Sequence, residues 1–326
     1  MKKLVLTATI TAAAALVAGC SAGSTPTLPS APAPSSSAAP SPSPAPTRAD
    51  CNNNDNTRVE SYAPTGPLPA PDDLPAGSTM DKIRDKGKIT VGVSADNLLF
   101  GFRNPITGRL EGFDVDMVDA VAHAIFGKDI TGKVEYRVEN FAQRIPDLQS
   151  GRVDLVADIM TINCARWSQI AFSTEYFHAG QQVLVRKNSP YTDVGQLNGR
   201  KVCTATGSTG SQNLTSLYPK VVQVRVANIS DCMVLFQQGT VDGIVSDNTV
   251  LSGFASQDPY ARVAGDQFTK EPYGLGIPAK NVDFVRFVNA VLEDMRTDGR
   301  WAAIYRKWLP APVPKPPAAV YGRALP

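Results

Sequence analysis

Arg166, Asp247 and the run Gly207-Ser208-Thr209 are the residues whose types suit recognition of a small charged molecule. Arg166 stands just past an apolar run that ends at Ala157, and Asp247 just past a second one, 241–245. A guanidinium is a planar fork that grips both oxygens of a carboxylate. A carboxylate at a strand end is placed to meet a cationic group across a cleft. Ser208 and Thr209 open an expected helix, where N–H groups without intrahelical partners favour an anion. That turn has no P-loop lysine, so a phosphate is a poor fit. Thr161 adds a hydroxyl beside Arg166, and Phe141 offers an aromatic wall. Catalysis is not supported: His123 and His178 have no serine or cysteine partner in the sequence, and no carboxylate pair stands out. No cysteine has CxxC or Cys/His spacing, so neither a metal nor a cofactor is expected.

The elements that must hold these residues follow from periodicity. Residues 88–94 read as a strand and Phe113–Phe126 as a helix, with Met117, Val121 and Ile125 on one face. Val134–Val138 reads as a strand, 143–149 as a short helix and 153–157 as a strand. This order predicts a parallel sheet covered by helices. The pattern repeats through strands at 183–185, 201–204, 221–226 and 241–246, with helices at 208–217 and 230–238. The phrase Gln238-Gly239-Thr240-Val241-Asp242-Gly243 echoes Ser150-Gly151-Arg152-Val153-Asp154-Leu155. Two such α/β units side by side make a cleft. Two apolar stripes near the end, Phe284 to Met295 and Trp301 to Trp308, read as core helices. The stretch 81–87 is simply polar.

The chain ends have another chemistry. Lys2 and Lys3 precede an apolar stretch from Leu4 to Ala18, too short for a permanent span and suited to a signal peptide over residues 1–19. Leu16-Val17-Ala18-Gly19-Cys20 resembles the lipobox of bacterial lipoproteins, which implies cleavage before Cys20 and a lipid on its thiol. Loss of the leader takes the formal charge from +2 to near zero, and no basic block suggests nucleic acid. Residues 20–78 are rich in Pro, Ala and Ser and read as an extended arm, with a second Pro-rich tail at 310–326. The expected place is the outer face of a cell membrane. With Cys20 lipidated, Cys51, Cys164, Cys203 and Cys232 remain, an even number that suggests two disulfides with three pairings open.

From about 79 to 309 the chain resembles the polar amino acid solute-binding proteins of ABC importers, bacterial extracellular family 3. The resemblance is carried by Gly112-Phe113-Asp114-Val115-Asp116-Met117, by Phe141 with Ile145-Pro146-Asp147-Leu148, and by Met160-Thr161-Ile162-Asn163 with Arg166. Gly207-Ser208-Thr209, Val241-Asp242-Gly243 leading to Asp247, and the closing Tyr305-Arg306-Lys307-Trp308 follow in order. It implies an α/β fold of two lobes joined by two strands, the type II periplasmic-binding-protein fold. Lobe one would be 79–181 plus 276–309 and lobe two 186–270, with crossovers near 179–185 and 273–277 and glycines at 274 and 276 suited to a hinge.

The implied ligand is a free polar amino acid. Arg166, Thr161, Ser208 and Thr209 would hold its carboxylate, Asp247 its ammonium and Phe141 its carbon chain. Ser94 stands where family members for cationic ligands carry aspartate, and the loop 203–209 looks like that of glutamate binders. Glutamate or aspartate is therefore expected first, with asparagine or glutamine weaker and cationic amino acids negligible. Gln181 and Arg103 are candidates for the side-chain contact. The implied partner is the membrane permease of an ABC importer, the protein acting as a monomer; an alternative is a sensor reporting to a membrane signalling protein. Within these lobes Cys203 on a strand would pair with Cys232 on the helix covering it, and Cys51 in the arm with Cys164 beside Arg166.

Overall fold

The computed structural model describes residues 56–325. The expected signal peptide, Cys20 and Cys51 lie outside the described residues. Among those described, no helix is long and apolar enough to cross a membrane.

Two five-stranded sheets carry the fold. In the first, Val134–Val138, Ile89–Val93 and Leu155–Ala157 run parallel, and Gly276–Ile277 joins antiparallel before Ala171–Phe172. In the second, Val222–Val226, Lys201–Ala205 and Gly243–Asp247 run parallel, followed antiparallel by Gln181–Arg186 and Ala261–Ala264. The sequence echo has a structural cause. Asp154 accepts the N–H of Thr90 at 2.8 Å, and Asp242 accepts that of Lys201 at 3.1 Å. Each aspartate thus ties the entry of its own strand to the neighbouring parallel strand. The glycines before them, Gly151 and Gly239, have φ of 69° and 76° and turn the chain out of the preceding helix.

The fold is therefore two α/β lobes. The chain passes between them at Phe177–Ala179, which pairs antiparallel with the returning Glu271–Tyr273. This crossing sits a few residues before the segments expected from the sequence. Gly274 and Gly276 also have a different use. Neither has a positive φ. A Cβ at 274 would meet Ile162 at 2.7 Å and one at 276 would meet Leu148 at 3.0 Å, so these glycines admit core side chains. The polar stretch at 81–87 forms a helix, Thr79–Lys86, capped by Ser78 and ended by Gly87 at φ 81°.

Composition misread the ends. Ser61, Tyr62 and Leu74 of the presumed arm are buried, and the presumed tail pairs with it through Ser61 and Tyr321. Few apolar side chains are needed there, because backbone groups and a handful of polar side chains make the contacts. Cys203 and Cys232 are joined, stapling the helix Asp231–Gln237 to the strand beneath it. Cys164 is also disulfide-bonded; its expected partner Cys51 lies outside the described residues.

Candidate functional site

Arg166 lies in the single helical turn Cys164–Trp167, whose start is capped by Asn163 accepting the Arg166 N–H at 2.9 Å. Its guanidinium is buried, donating to the Thr161 carbonyl at 2.7 Å and to the Gly207 carbonyl of the second lobe at 3.3 Å. Arg144, which sequence reasoning passed over, lies beside it. Arg144 stacks on Phe141 with 4.3 Å from guanidinium to ring centroid, and donates to the Asp158 and Gly207 carbonyls at 2.8 and 3.4 Å. Burial, and then the Arg144 charge, bring the Arg166 pKa down to about 9. Two buried cations thus converge on one acceptor. The helix Thr209–Leu217 begins there, with Ser208 accepting the N–H of Ser211 at 3.0 Å. The combination is built for an anion.

Carboxylates oppose it. Asp247 ends the strand Gly243–Asp247 and accepts the Tyr273 hydroxyl at 2.7 Å. Burial and the nearby Glu271 charge push its pKa up to about 7. Glu271, also missed from the sequence, is fully buried in the crossing strand. It accepts the hydroxyls of Thr161 and Thr209 at 2.7 and 2.9 Å through one oxygen, and that of Thr269 at 2.7 Å through the other. In Lys270-Glu271-Pro272-Tyr273 nothing but the proximity to a crossover set this glutamate apart from a surface acid.

The remaining expected residues divide. Phe141, Thr161, Arg166, Ser208, Thr209 and Asp247 line one small cavity of about 10 Å³, room for about one water. On the other side of Phe141 is a roomier chamber of about 280 Å³, lined by Ser94, Asp96, Glu139, Asn140 and Ser230 among others. The buried charges sit at the smaller space and the volume at the larger, and Phe141 lines both. Gln181 joins neither. Its amide donates to Thr209 at 2.9 Å and accepts from Asn213 at 2.9 Å, which makes it a brace for the helix start. Arg103 is exposed and donates to the Gly108 carbonyl.

Asp96 and Glu139 are the acids of the chamber lining, while Asp158 and Asp114 are buried outside it. Asp96 accepts the N–H and hydroxyl of Ser230 at 3.2 and 2.7 Å, a contact from one lobe to the other. Glu139 lies across Gly92, where a Cβ would meet its Oε1 at 1.9 Å, and neither of its oxygens receives a hydrogen bond. Burial, then the charges of Asp158 and Asp147, push its pKa up to about 8. Asp158 has only a 3.9 Å ion pair with Arg144, and burial raises it to about 7. Asp114 accepts the Tyr176 hydroxyl and the Ile159 N–H at 2.6 and 2.7 Å; burial still raises it to about 6.

Asp114, Glu139, Asp158 and Asp247 set a pH dependence. Their folded pKa values stand above the ordinary value near 4, so the folded chain retains protons that the unfolded chain has released. Stability is therefore present at low pH and lost as pH rises through about 6 to 8. The unliganded thermal midpoint should fall between about pH 5 and pH 8, and Glu139→Gln should flatten the slope. A midpoint that rises over that range would contradict this electrostatic description.

Neither histidine is set for catalysis: His123 bonds the Gly127 carbonyl and His178 pairs with Glu175. The sequence profile of the bacterial extracellular solute-binding proteins, family 3, matches residues 89–311. The chain belongs to this family. It is a solute-binding receptor and not an enzyme. The ABC transporter glutamine-binding protein GlnH of Bacillus subtilis is 36% identical over 232 residues, covering 71% of this chain and 84% of that protein. The glutamate-binding protein GluB of Corynebacterium efficiens is 33% identical over 227 residues, covering 66% and 76%. Among solved structures, an ancestral arginine-binding protein bound to glutamine superimposes with a TM-score of 0.64 at 34% identity, covering 69% of this chain and 99% of that one.

Proposed function

We propose that this receptor binds a free L-α-amino acid for an ABC importer, with the ligand clasped between lobes of about 79–181 plus 276–309 and 186–270. The observation that carries the reading is the arrangement of opposite charges in the buried cleft. Arg166 and Arg144 face the start of the helix Thr209–Leu217, while Asp247 and Glu271 stand across from them. An α-amino acid presents a carboxylate and an ammonium on one carbon, and burying both requires a partner for each. In this reading Arg166, Thr161 and the Ser208–Thr209 turn take the carboxylate, displacing the Gly207 carbonyl. Asp247 takes the ammonium, and Phe141 covers the carbon chain. The lobes must part for entry, because the small cavity is far below the volume of an amino acid. The leader and Cys20 support a lipid anchor on the outer face of the membrane, beside a permease.

The lining of the chamber supports a ligand order different from the one expected from the sequence. Its acidic lining residues are Asp96 and Glu139, and no cation lines it among the described residues. A carboxylate side chain would find acids there and no opposing charge. Glu139 with a pKa of about 8 is mostly protonated at neutral pH. A carboxyl group offers one O–H donor and one C=O acceptor, the complement of a carboxamide. Glutamine, then asparagine, is accordingly placed ahead of glutamate and aspartate, in keeping with the glutamine-binding relative. A thermal-shift screen against the twenty amino acids, followed by calorimetry, tests both levels. No stabilisation by any amino acid would refute the receptor reading, whereas tighter binding of glutamate than of glutamine would refute only the ranking.

A further inference from the structure

The family match covers 89–311, yet chain on both sides of it is packed onto the lobe that carries Arg166. We infer that these flanking segments, 56–62 and 313–325, form a collar that positions Arg166 through its neighbour Trp167. The inference rests on the reading of Arg166 as the carboxylate clamp.

The turn Cys164–Trp167 has four residues and cannot hold its own shape without packing. Two of the three side chains packed on its Trp167 ring come from outside the matched region. The Arg323 guanidinium lies 3.6 Å from the centroid of the Trp167 ring, and Tyr62 meets that ring edge-on at 6.0 Å. Only Phe172, at 5.5 Å, is a ring neighbour from within the matched region. Cys164, at the other end of the turn, is disulfide-bonded.

The two segments are tied to each other and to the lobe. Ser61 donates its N–H to the Val320 carbonyl at 3.0 Å, and Arg323 donates its Nε to the Glu60 carbonyl at 2.7 Å. The Ser61 hydroxyl donates to the Phe172 carbonyl at 2.7 Å, and Asn289 donates to Ser61 Oγ and the Tyr62 carbonyl at 2.9 and 2.8 Å. On the tail side, Tyr321 donates to Glu293 at 2.6 Å and Arg296 to the Pro317 carbonyl at 2.8 Å. A buried site needs its supporting groups held to a fraction of an ångström, and a bidentate fork is sensitive to its angle. The collar supplies that support to the residue beside the fork.

The test compares the full chain with Arg323→Ala, Arg323→Lys and a chain ending at Pro310. Calorimetry measures L-glutamine and its α-carboxamide, which lacks the carboxylate that Arg166 would grip; glutamate and its α-amide serve if the ranking above is reversed. Arg323→Ala and the truncation should weaken the amino acid about fivefold to tenfold, the scale of coupling through packed neighbours. The α-amide should change little, so discrimination between the two shrinks, and Arg323→Lys should restore part of it. Affinity within twofold of the parent, or an equal loss for both ligands, would overturn the inference and leave the collar a stabilising element only. If the truncated chain does not fold, Arg323→Ala decides. Should the parent bind no amino acid, the receptor reading fails first, and this inference with it.

Discussion

Arg166→Ala weakens binding of the preferred amino acid by about 2–5 kcal/mol, the range for removing one member of a buried charged pair. That corresponds to roughly thirtyfold or more in Kd. The reason is the depth of the side chain: Arg166 is only 5% exposed, and its guanidinium holds one lobe's loop to the Gly207 carbonyl of the other. Without it, a ligand carboxylate would lie in the cleft with Arg144 as its remaining guanidinium partner. The loss should appear chiefly as faster dissociation. Arg166→Lys should recover only part, since a point charge does not reproduce two parallel hydrogen bonds. Calorimetry and stopped-flow dissociation on folded protein give the answer. A Kd within twofold of the parent would remove Arg166 from the site.

Replacing both Cys203 and Cys232 by alanine lowers unfolding free energy by about 3–4 kcal/mol in the chain-entropy description. The linked residues are 29 apart in sequence, and cross-linking a loop of that length removes much freedom from the unfolded chain. Both cysteines are fully buried, so the double variant avoids leaving one polarizable thiol facing a gap. The staple also holds the helix Asp231–Gln237, whose capping residue Ser230 donates to Asp96 across the lobes. Ligand affinity should therefore fall slightly as stability falls strongly. Urea unfolding monitored by circular dichroism measures the change; a loss below about 0.5 kcal/mol would mean strain offsets the entropy.

Sequence alone was enough for the α/β order, because strand and helix periods differ and each apolar run has a length that suits one of them. The helix Phe113–Phe126 and strand Val134–Val138 begin and end where periodicity placed them. The echo of Val153-Asp154 in Val241-Asp242 disclosed the repeated unit, since each aspartate bonds the adjacent strand within its own unit. Arg166 and Asp247 stood out in the sequence through the family resemblance, as charged residues past apolar runs.

Tertiary structure decided the rest. Glu271, Arg144 and Glu139 are buried only because strands and loops far apart in sequence pack around them, and burial raises the pKa of both glutamates. Gln181 is a brace because Thr209 and Asn213 come to it from a helix in the same lobe. The proline-rich ends gave no periodic signal, yet their backbone carbonyls and a few polar side chains pair at long range with the folded lobe. Composition reports how much apolar surface a segment can bury by itself. It carries no information about the partners that a finished fold presents to that segment's backbone.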